Sequence, residues 1–484
     1  MPSEPNPNPD LDTSPPLPPW RSWLFAVVVA VMPLSFNIGP WVDAKQKSFF
    51  VSPFDALVPL LVLLLLWDLV RRRAALRDIP FPNLLWMLLA LASFIWIAPG
   101  TQGKWLRTAV GQIAPVVFCG VWVFSQAAQS VRELRRLFLI LGASLGVCLL
   151  FALYQYVQPL GHPYDPENPN APADGVWVTR IAGWYEIRGI LAAQIAMLVP
   201  AAGAFAVLDK DSAVRAGAAC VAVLGLCVTL SGGGFIAAAA GLLAVAGALW
   251  IRGWFGPGEQ AERRTGQRGA AYLVAGLLVI AALVLPRLPR HNVEHLWRSV
   301  ALFGEQINSG APDAKATEER PTARLRRYQA ELNYLDAKNH WVAGAGVGGF
   351  DVIDTYFDNQ NSLYPKPSVR TDQEALFDYE TNEPFTHGLF ETTAVELGVL
   401  GLALAAWVFA AWSGASFFAF ARATSSEMQL LALASLGAGV GALVFSIFGS
   451  PLVRGCGGTF AFCMGASLLL ARRHASKGFA GPAE

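Results

Sequence analysis

The chain has 484 residues, of which 54% are hydrophobic and only 15% are charged. Soluble domains carry about 25% charged residues, so this composition excludes an ordinary soluble protein and favours one embedded in a bilayer. The formal net charge of +1 and the pI near 7.6 offer no strongly basic surface, so we expect no nucleic-acid partner.

Residues 1–20 are rich in proline and contain no apolar run. Such a segment cannot bury enough apolar surface to fold, so it is predicted to be a disordered tail. It also lacks the basic start and the apolar core of a signal peptide.

Long apolar runs occupy most of the chain after this tail. A bilayer core requires about 20 apolar residues per helix, with roughly 17 to 25 tolerated. On that criterion twelve spans are predicted, near residues 22–40, 54–70, 83–98, 106–127, 137–158, 188–208, 214–231, 233–251, 269–286, 388–412, 427–448 and 456–471. The seventh and eighth spans flank Thr229–Phe235 (TLSGGGF), and a single broken element is the alternative there.

Lysine and arginine predict the orientation, because they concentrate in cytoplasmic segments. Most of them fall in the loops that lie inside when the N-terminus is inside. The sequence thus predicts an all-α polytopic membrane protein with about 12 transmembrane helices and both termini in the cytoplasm. Its predicted parts are the tail 1–20, helices 1–9 in 21–286, a large, partly helical external loop in 287–386, helices 10–12 in 387–473, and a second cytoplasmic tail in 474–484.

Neither the cysteines nor the histidines form a metal-binding pattern. The six cysteines contain no CxxC pair and lie mostly in apolar runs, so no disulfide and no zinc site is expected. His291 and His295 flank Glu294, but not in the HExxH order of zinc proteases. We expect no metal and no cofactor.

The external loop contains one organised stretch, Thr322–Phe350. Its apolar residues recur three and four apart, which predicts an amphipathic helix with arginines in its first turns. The helix is broken by GAGVGGF, where glycines allow the backbone to turn tightly or to approach a ligand.

A second stretch, EPFTHGLFETTAVELGVLGL, begins at Glu383 and leads into the tenth span. It places His387 at the mouth of that span, with Glu391 one turn deeper on the same helix face and Glu396 on roughly the opposite face. Intramembrane acids mark functional sites by default.

These stretches resemble the O-antigen ligase and polymerase superfamily, which are bacterial envelope glycosyltransferases. That family shows a pattern close to HNxxLxxxAExGxxG, and this chain matches it at His387, Glu396, Gly398 and Gly401. It departs at Gly388, Glu391 and Val395. The family also has an Arg-Leu helix that runs into a glycine turn, matched here by Arg324, Leu325, Tyr328, Gly344, Gly346, Gly348 and Phe350. An earlier Arg-x-x-Gly before an alanine-rich helix is matched by Arg180, Gly183, Ala192 and Ala193. The family often has Ser-Arg-Gly where this chain has Ser231 and Gly232, so that arginine is missing.

The resemblance implies a bacterial inner-membrane protein that acts at the periplasmic face, with an undecaprenyl-pyrophosphate glycan as donor. The acceptor is a glycan or lipid A–core. Histidine suits a general base near neutral pH, so His387 is predicted to deprotonate the acceptor hydroxyl, and direct displacement inverts the anomeric centre. Glu391 is predicted either to orient the imidazole or to meet a basic partner, and Glu396 to be a structural hydrogen-bond partner between helices.

The donor pyrophosphate calls for cations, and the arginine fork binds two phosphate oxygens at once. Arg324 and Arg180 are the first candidates, and Arg188 and Arg327 come next. Lys104 and Arg107, near the outer end of the fourth span, are candidates from position alone. The alternative for each residue is a cation at the membrane interface, and for His387 an interfacial histidine.

Three other functions remain open at this point. A polymerase and a ligase share this chemistry and differ only in the acceptor. A transporter or flippase of envelope lipids or glycans would fit twelve spans, although its polar residues are expected near the bilayer midplane. A non-catalytic scaffold is the third.

Overall fold

The computed structural model describes residues 19–34, 53–70, 80–97, 102–128, 130–157, 188–228, 232–255, 260–284, 335–336, 339–349, 388–423, 425–452 and 454–478. These residues form helices and turns, with no strand among them. Most of the tail 1–20, most of the loop 287–386 and residues 479–484 lie outside this set. The predictions of a disordered tail, of an amphipathic helix after Thr322 and of a histidine pair at His291 and His295 therefore concern residues that are not described.

The helices follow the apolar runs of the sequence in order. In the first half they are α1 (Pro19–Val31), α2 (Pro53–Val70), α3 (Phe81–Ala92), a three-part helix α4, α5 (Val131–Val157) and α6 (Arg188–Leu208). The three parts of α4 are Gln102–Trp105, a π-helical stretch Leu106–Gly120, and Val121–Phe124. In the second half they are α7 (Ser212–Val228), α8 (Gly232–Phe255), α9 (Gln260–Val284), α10 (Leu389–Ala421), α11 (Ser426–Phe445) and α12 (Arg454–Gly478).

Six of these helices are long and apolar enough to cross a membrane: α5, α6, α8, α10, α11 and α12. The others contain shorter apolar stretches of 10–17 residues. A helix is present at each of the twelve predicted spans, and α7 and α8 are two separate helices on either side of residues 229–231. The described residues thus confirm the helical fold class and include six helices fit to cross a membrane, while the count of about 12 spans stays a prediction.

The centre of the bundle is formed by α6, α8 and α11, which pack closely because small residues line their contacts. Gly441 of α11 lies directly on the backbone carbonyl of Ala196 in α6, so that a Cβ there would overlap it. A Cβ at Gly437 would lie 2.7 Å from Val245 of α8. Glycine at these two positions sets the distance between the central helices.

Several polar side chains inside the bundle form hydrogen bonds with neighbouring helices. The amide of Gln194 donates to the Met32 carbonyl at 3.2 Å, and its oxygen accepts from Thr459 at 2.9 Å. Ser435 donates to the Cys463 carbonyl at 2.6 Å. Polar groups in a bilayer need such internal partners, because no water is available to them. These bonds link α1, α6 and α12, and α11 with α12.

Charged and polar contacts identify one end of the bundle, here named the basic end. Arg135 binds Asp209 through two hydrogen bonds of 3.0 and 2.8 Å, and Ser22 donates to Glu133 at 2.7 Å. Arg252 donates to two backbone carbonyls at the C-terminal end of α10, at 2.7 and 3.3 Å. The starts of α1 and α5 and the ends of α6, α8 and α10 meet here.

The other end, named the loop end, is where α3 and α11 finish and α10 begins. A 3₁₀ turn, Ser93–Ile95, follows α3. The amide of Leu389 donates to the Gly449 carbonyl at 3.2 Å, which joins the start of α10 to the turn after α11. Residues 339–349, the described part of the long polar segment with 335–336, pack at this end.

Candidate functional site

The helix α10 is broken at Gly398. This residue has φ 64° and ψ −162°, while the residues on both sides continue as helix. The break divides α10 into a short arm, 389–397, and a long arm, 399–421. At about 1.5 Å per residue, the long arm alone covers the thickness of a bilayer core. The short arm is the part that leads directly to His387.

A loop from the polar segment fills the break. Residues 341–349, here called the glycine loop, pair with both arms through backbone hydrogen bonds. On the short arm, Ala345 N–H donates to the Val395 carbonyl at 2.9 Å and Gly346 N–H to the Glu396 carbonyl at 2.8 Å. On the long arm, Val399 N–H donates to the Trp341 carbonyl at 2.9 Å.

Leu400 N–H likewise donates to the Val342 carbonyl, at 3.3 Å. A helix break inside a membrane protein exposes carbonyls on one side and amides on the other. Here the loop supplies amides to the carbonyl side and carbonyls to the amide side. The loop therefore completes the hydrogen bonding that the helix loses at Gly398.

The glycines are required by this close approach. Gly344, Gly346 and Gly348 have φ values of 69°, 87° and 84°, in the left-handed region that glycine enters at no steric cost. A Cβ at Gly344 would overlap the backbone of Glu396, and one at Gly346 would overlap Ile97. The glycines of GAGVGGF thus allow a tight turn against protein backbone.

Two buried side chains hold the later part of the loop. The carboxylate of Glu396, 5% exposed, accepts from Gly348 N–H at 2.8 Å. The hydroxyl of Ser93, fully buried, accepts from Val347 N–H at 3.1 Å and donates to the Ala90 carbonyl at 2.7 Å. Glu396 is therefore a hydrogen-bond partner of the loop, and its predicted bond to another helix stays a prediction.

The start of α10 is tied to the end of α11. Gly388 is the N-cap residue, and a Cβ on it would lie 2.6 Å from the Ile447 carbonyl oxygen. Glu391 Oε2 accepts from Gly388 N–H at 3.3 Å, which caps the first turn and places a negative charge at the positive end of the helix. One oxygen of Glu391 thus accepts a hydrogen bond from Gly388, the residue that follows His387 in the sequence.

Apolar side chains surround the break on the outside of the bundle. Trp341 and Val342 of the loop are 39% and 63% exposed, and Val399 and Leu400 of the long arm are 58% and 48% exposed. Such a patch suits contact with lipid. The backbone groups beneath it that form the four bonds between the loop and the two arms need no water. The glycine loop therefore presents an apolar side where the long arm enters the bundle.

Several predicted site residues lie outside the described part of the chain: Arg180, Arg324, Arg327 and His387. Arg188 is the first residue of α6, and its side chain is not described; the same is true of the side chains of Lys104 and Arg107 in α4. The structure brings the glycine loop and Glu396 together, and Glu391 lies in the turn that follows Gly388. Sequence reasoning missed Ser93, for which no local pattern gives a signal.

A cleft of about 230 Å³ lies at the basic end, opposite to the glycine loop. Its walls include Arg135, Asp209, Asp211 and Glu427. Burial alone would raise the pKa of Asp209, but the hydrogen bonds from Arg135 and from Asp211 N–H hold that pKa below its ordinary value. The charges of Arg135 and Asp209 satisfy each other, so the two residues form a structural ion pair in the wall of this cleft.

Among the described residues, no group of three or more His, Cys, Asp or Glu side chains is arranged to bind a metal ion. The described cysteines are all free thiols.

Neither the protein-family models nor the curated protein sequences compared with this chain match it.

Proposed function

We propose that the protein is an inverting glycosyltransferase that moves a glycan from undecaprenyl pyrophosphate to an acceptor hydroxyl at the external face of a bacterial inner membrane. One observation carries the proposal. The glycine loop is part of the polar segment that precedes His387 in the sequence. It fills the break at Gly398 in α10, the helix that begins just after His387. Motifs that are about 50 residues apart in the sequence thereby meet at one end of the bundle.

The proposed reaction needs a base, cations for the pyrophosphate and a group that orients the base, and the sequence offers a candidate for each. His387 would take the proton from the acceptor hydroxyl as its oxygen attacks the anomeric carbon. The bond from that carbon to the donor phosphate breaks, and undecaprenyl pyrophosphate leaves. Arg324 and Arg180, with Arg188 and Arg327, would stabilise the charge that develops on the pyrophosphate. Glu391, whose carboxylate caps α10, would hold the imidazole in the right orientation.

The orientation in this proposal rests on the distribution of charge. Basic side chains of the described residues, among them Arg135 and Arg252, lie at the basic end, whereas the glycine loop lies at the other. Cytoplasmic ends carry more lysine and arginine, so the loop end would face the periplasm. This proposal has about 12 helices spanning the membrane and both termini in the cytoplasm.

The transporter or flippase remains the alternative, and the helix break speaks against it. Transporters use broken helices whose free carbonyls and amides bind the ion or substrate at the bilayer midplane. In this chain the carbonyls of Val395 and Glu396 and the amides of Val399 and Leu400 are bonded to the glycine loop. The break is therefore better suited to holding a loop than to receiving a solute.

Glycan transfer by purified protein in liposomes tests the proposal. Wild type, His387→Ala and His387→Gln are supplied with an undecaprenyl-pyrophosphate oligosaccharide, and the lipid-linked products are analysed by mass spectrometry. Loss of a general base typically reduces the rate about 10²- to 10⁴-fold. Gly414→Ala is the matched control, because a Cβ at this position on the long arm meets nothing within 4 Å.

The acceptor determines which member of this reaction class the protein is. A longer lipid-linked glycan identifies a polymerase, and transfer only after lipid A–core is added identifies a ligase. Wild-type rates in both His387 variants would remove His387 as the base. An intact donor in every reaction, with both acceptors present, would contradict glycan transfer itself.

A further inference from the structure

Glu396 is a buried carboxylate whose position the proposed chemistry does not explain. It lies in the last turn of the short arm, about nine residues beyond His387, and is 5% exposed. Burying a carboxylate is costly unless it is hydrogen-bonded. Its oxygen Oε1 accepts from Gly348 N–H at 2.8 Å, so the charge is used to bind the glycine loop.

The two halves of the glycine loop are held differently. The first half, from Trp341 to Gly346, is bonded to both arms through backbone groups alone. From Val347 onward, the described contacts of the loop's amides with other elements come from side chains, namely Ser93 and Glu396. Bonds between backbone groups do not require particular side chains, whereas these two bonds require the side chains of Ser93 and Glu396.

The direction of the short arm depends on what occupies the break. This arm is the nine residues 389–397, with His387 just before it. A glycine with φ 64° and ψ −162° removes the helical continuity between the two arms. The short arm is therefore held by the turn after α11 at its start and by the glycine loop at its end.

We propose that Glu396 is a positioning residue that locks the glycine loop into the helix break and thereby sets where the short arm presents His387. The inference rests on the proposed glycan transfer, since it explains how the short arm would position the base of that reaction. In the sequence, the glycine loop follows the segment that contains Arg324 and Arg327. Glu396 touches neither donor nor acceptor in this account.

The first test compares Glu396→Ala with Glu396→Gln. Alanine leaves Gly348 N–H without its acceptor, whereas the glutamine oxygen can accept the same bond. Losing a hydrogen bond to a charged group corresponds to about a 10- to 100-fold effect, so kcat of Glu396→Ala should fall by this factor. The KM for the donor should stay within about threefold, because donor binding is not the property that is lost. Glu396→Gln should keep most of the wild-type kcat.

The second test restores the position of the loop without the carboxylate. Val342→Cys and Val399→Cys place thiols on the loop and on the long arm, at sites that are 63% and 58% exposed. The exposed cysteines Cys220 and Cys227 are changed to serine in all variants. A bismaleimide with a short flexible spacer then links the pair. The initial rate of linking should be lower with Glu396→Ala, and the linked Glu396→Ala protein should recover the kcat of the linked parent.

The outcomes separate the inference from the proposed function. A slow Glu396→Ala, an active Glu396→Gln and recovery after linking support the positioning role. The inference is overturned by wild-type kcat in Glu396→Ala, by a Glu396→Gln as slow as the alanine variant, or by a linked, folded protein that stays slow. If the parent protein transfers no glycan while linking still depends on Glu396, the proposed function fails and the locking of the loop stands.

Discussion

Replacing Gly398 with alanine should drive the glycine loop out of the helix break. At φ 64° and ψ −162°, a residue with a Cβ is held in a backbone region that costs about 1–3 kcal/mol. The added Cβ would also overlap the Val342 carbonyl oxygen, which accepts from Leu400 N–H. Alanine instead favours a continuous helix.

The cost follows from the bonds that the loop makes with the long arm. If the loop withdraws, the amides of Val399 and Leu400 lose their carbonyl partners, at about 1–3 kcal/mol for each buried donor left unpaired. A straightened helix recovers part of this by pairing internally. The Gly398→Ala variant adopts whichever state costs less, the strained break or the straightened helix without its loop, so it should be destabilised by about 1–3 kcal/mol.

Thermal unfolding in detergent micelles and limited proteolysis measure the two consequences. The variant should unfold at a lower temperature than wild type, and it should be cut within the glycine loop at protease concentrations that leave wild type intact. Gly414→Ala provides the control, since it lies on the same helix with open space around its Cα and should gain about 0.5–1 kcal/mol. A Gly398→Ala protein that matches Gly414→Ala in both assays would refute the reasoning.

Three further predictions concern other parts of the molecule. Arg324→Ala should reduce glycan transfer by about 10²- to 10³-fold, as for removal of one transition-state donor, with an unchanged unfolding temperature; near-normal turnover would exclude Arg324. Gly441→Ala should destabilise the bundle by about 1–3 kcal/mol through overpacking against Ala196, whereas Gly247→Ala, with open space at its Cα, should not, and equal unfolding temperatures would contradict the packing described. The pKa of Asp209 is lowered in the folded protein, so the stability from its pair with Arg135 is present above about pH 4, the unfolded value, and is lost as pH falls through the folded value. The acid side of a stability-against-pH curve should accordingly be flatter in Asp209→Asn, and an unchanged curve would exclude this pair as the source.

The positions of the helices could be predicted from the sequence because apolar runs of bilayer length have few other structures available. Their ends could not, since a helix can continue well beyond the length that crosses a bilayer. The helix α5 begins at Val131, before its predicted start near 137, and α10 continues to Ala421 instead of 412. Arg132, Arg135 and Arg136 lie within α5, so their charges do not end the helix.

The glycine loop was visible in the sequence, but its partner was not. Alternating glycines predict positive φ and a close approach, and Gly398 is part of the pattern that resembles the O-antigen ligase and polymerase superfamily. Neither pattern states that one glycine segment fills the break made by the other, because that pairing joins residues about 50 positions apart. Ser93 is similarly out of reach, since its only distinction is the amide of Val347 that it meets in the folded chain. The roles of His387 and the four arginines stay predictions.

The stoichiometry of product release tests the central claim most directly. Purified wild-type protein in liposomes receives a donor labelled in both the lipid and the glycan, together with host acceptors, and free undecaprenyl pyrophosphate is counted against transferred glycan. Our account predicts one undecaprenyl pyrophosphate released for each glycan transferred, with no movement of intact donor between leaflets. Intact donor that changes leaflet while no glycan is transferred would contradict the account and identify a flippase.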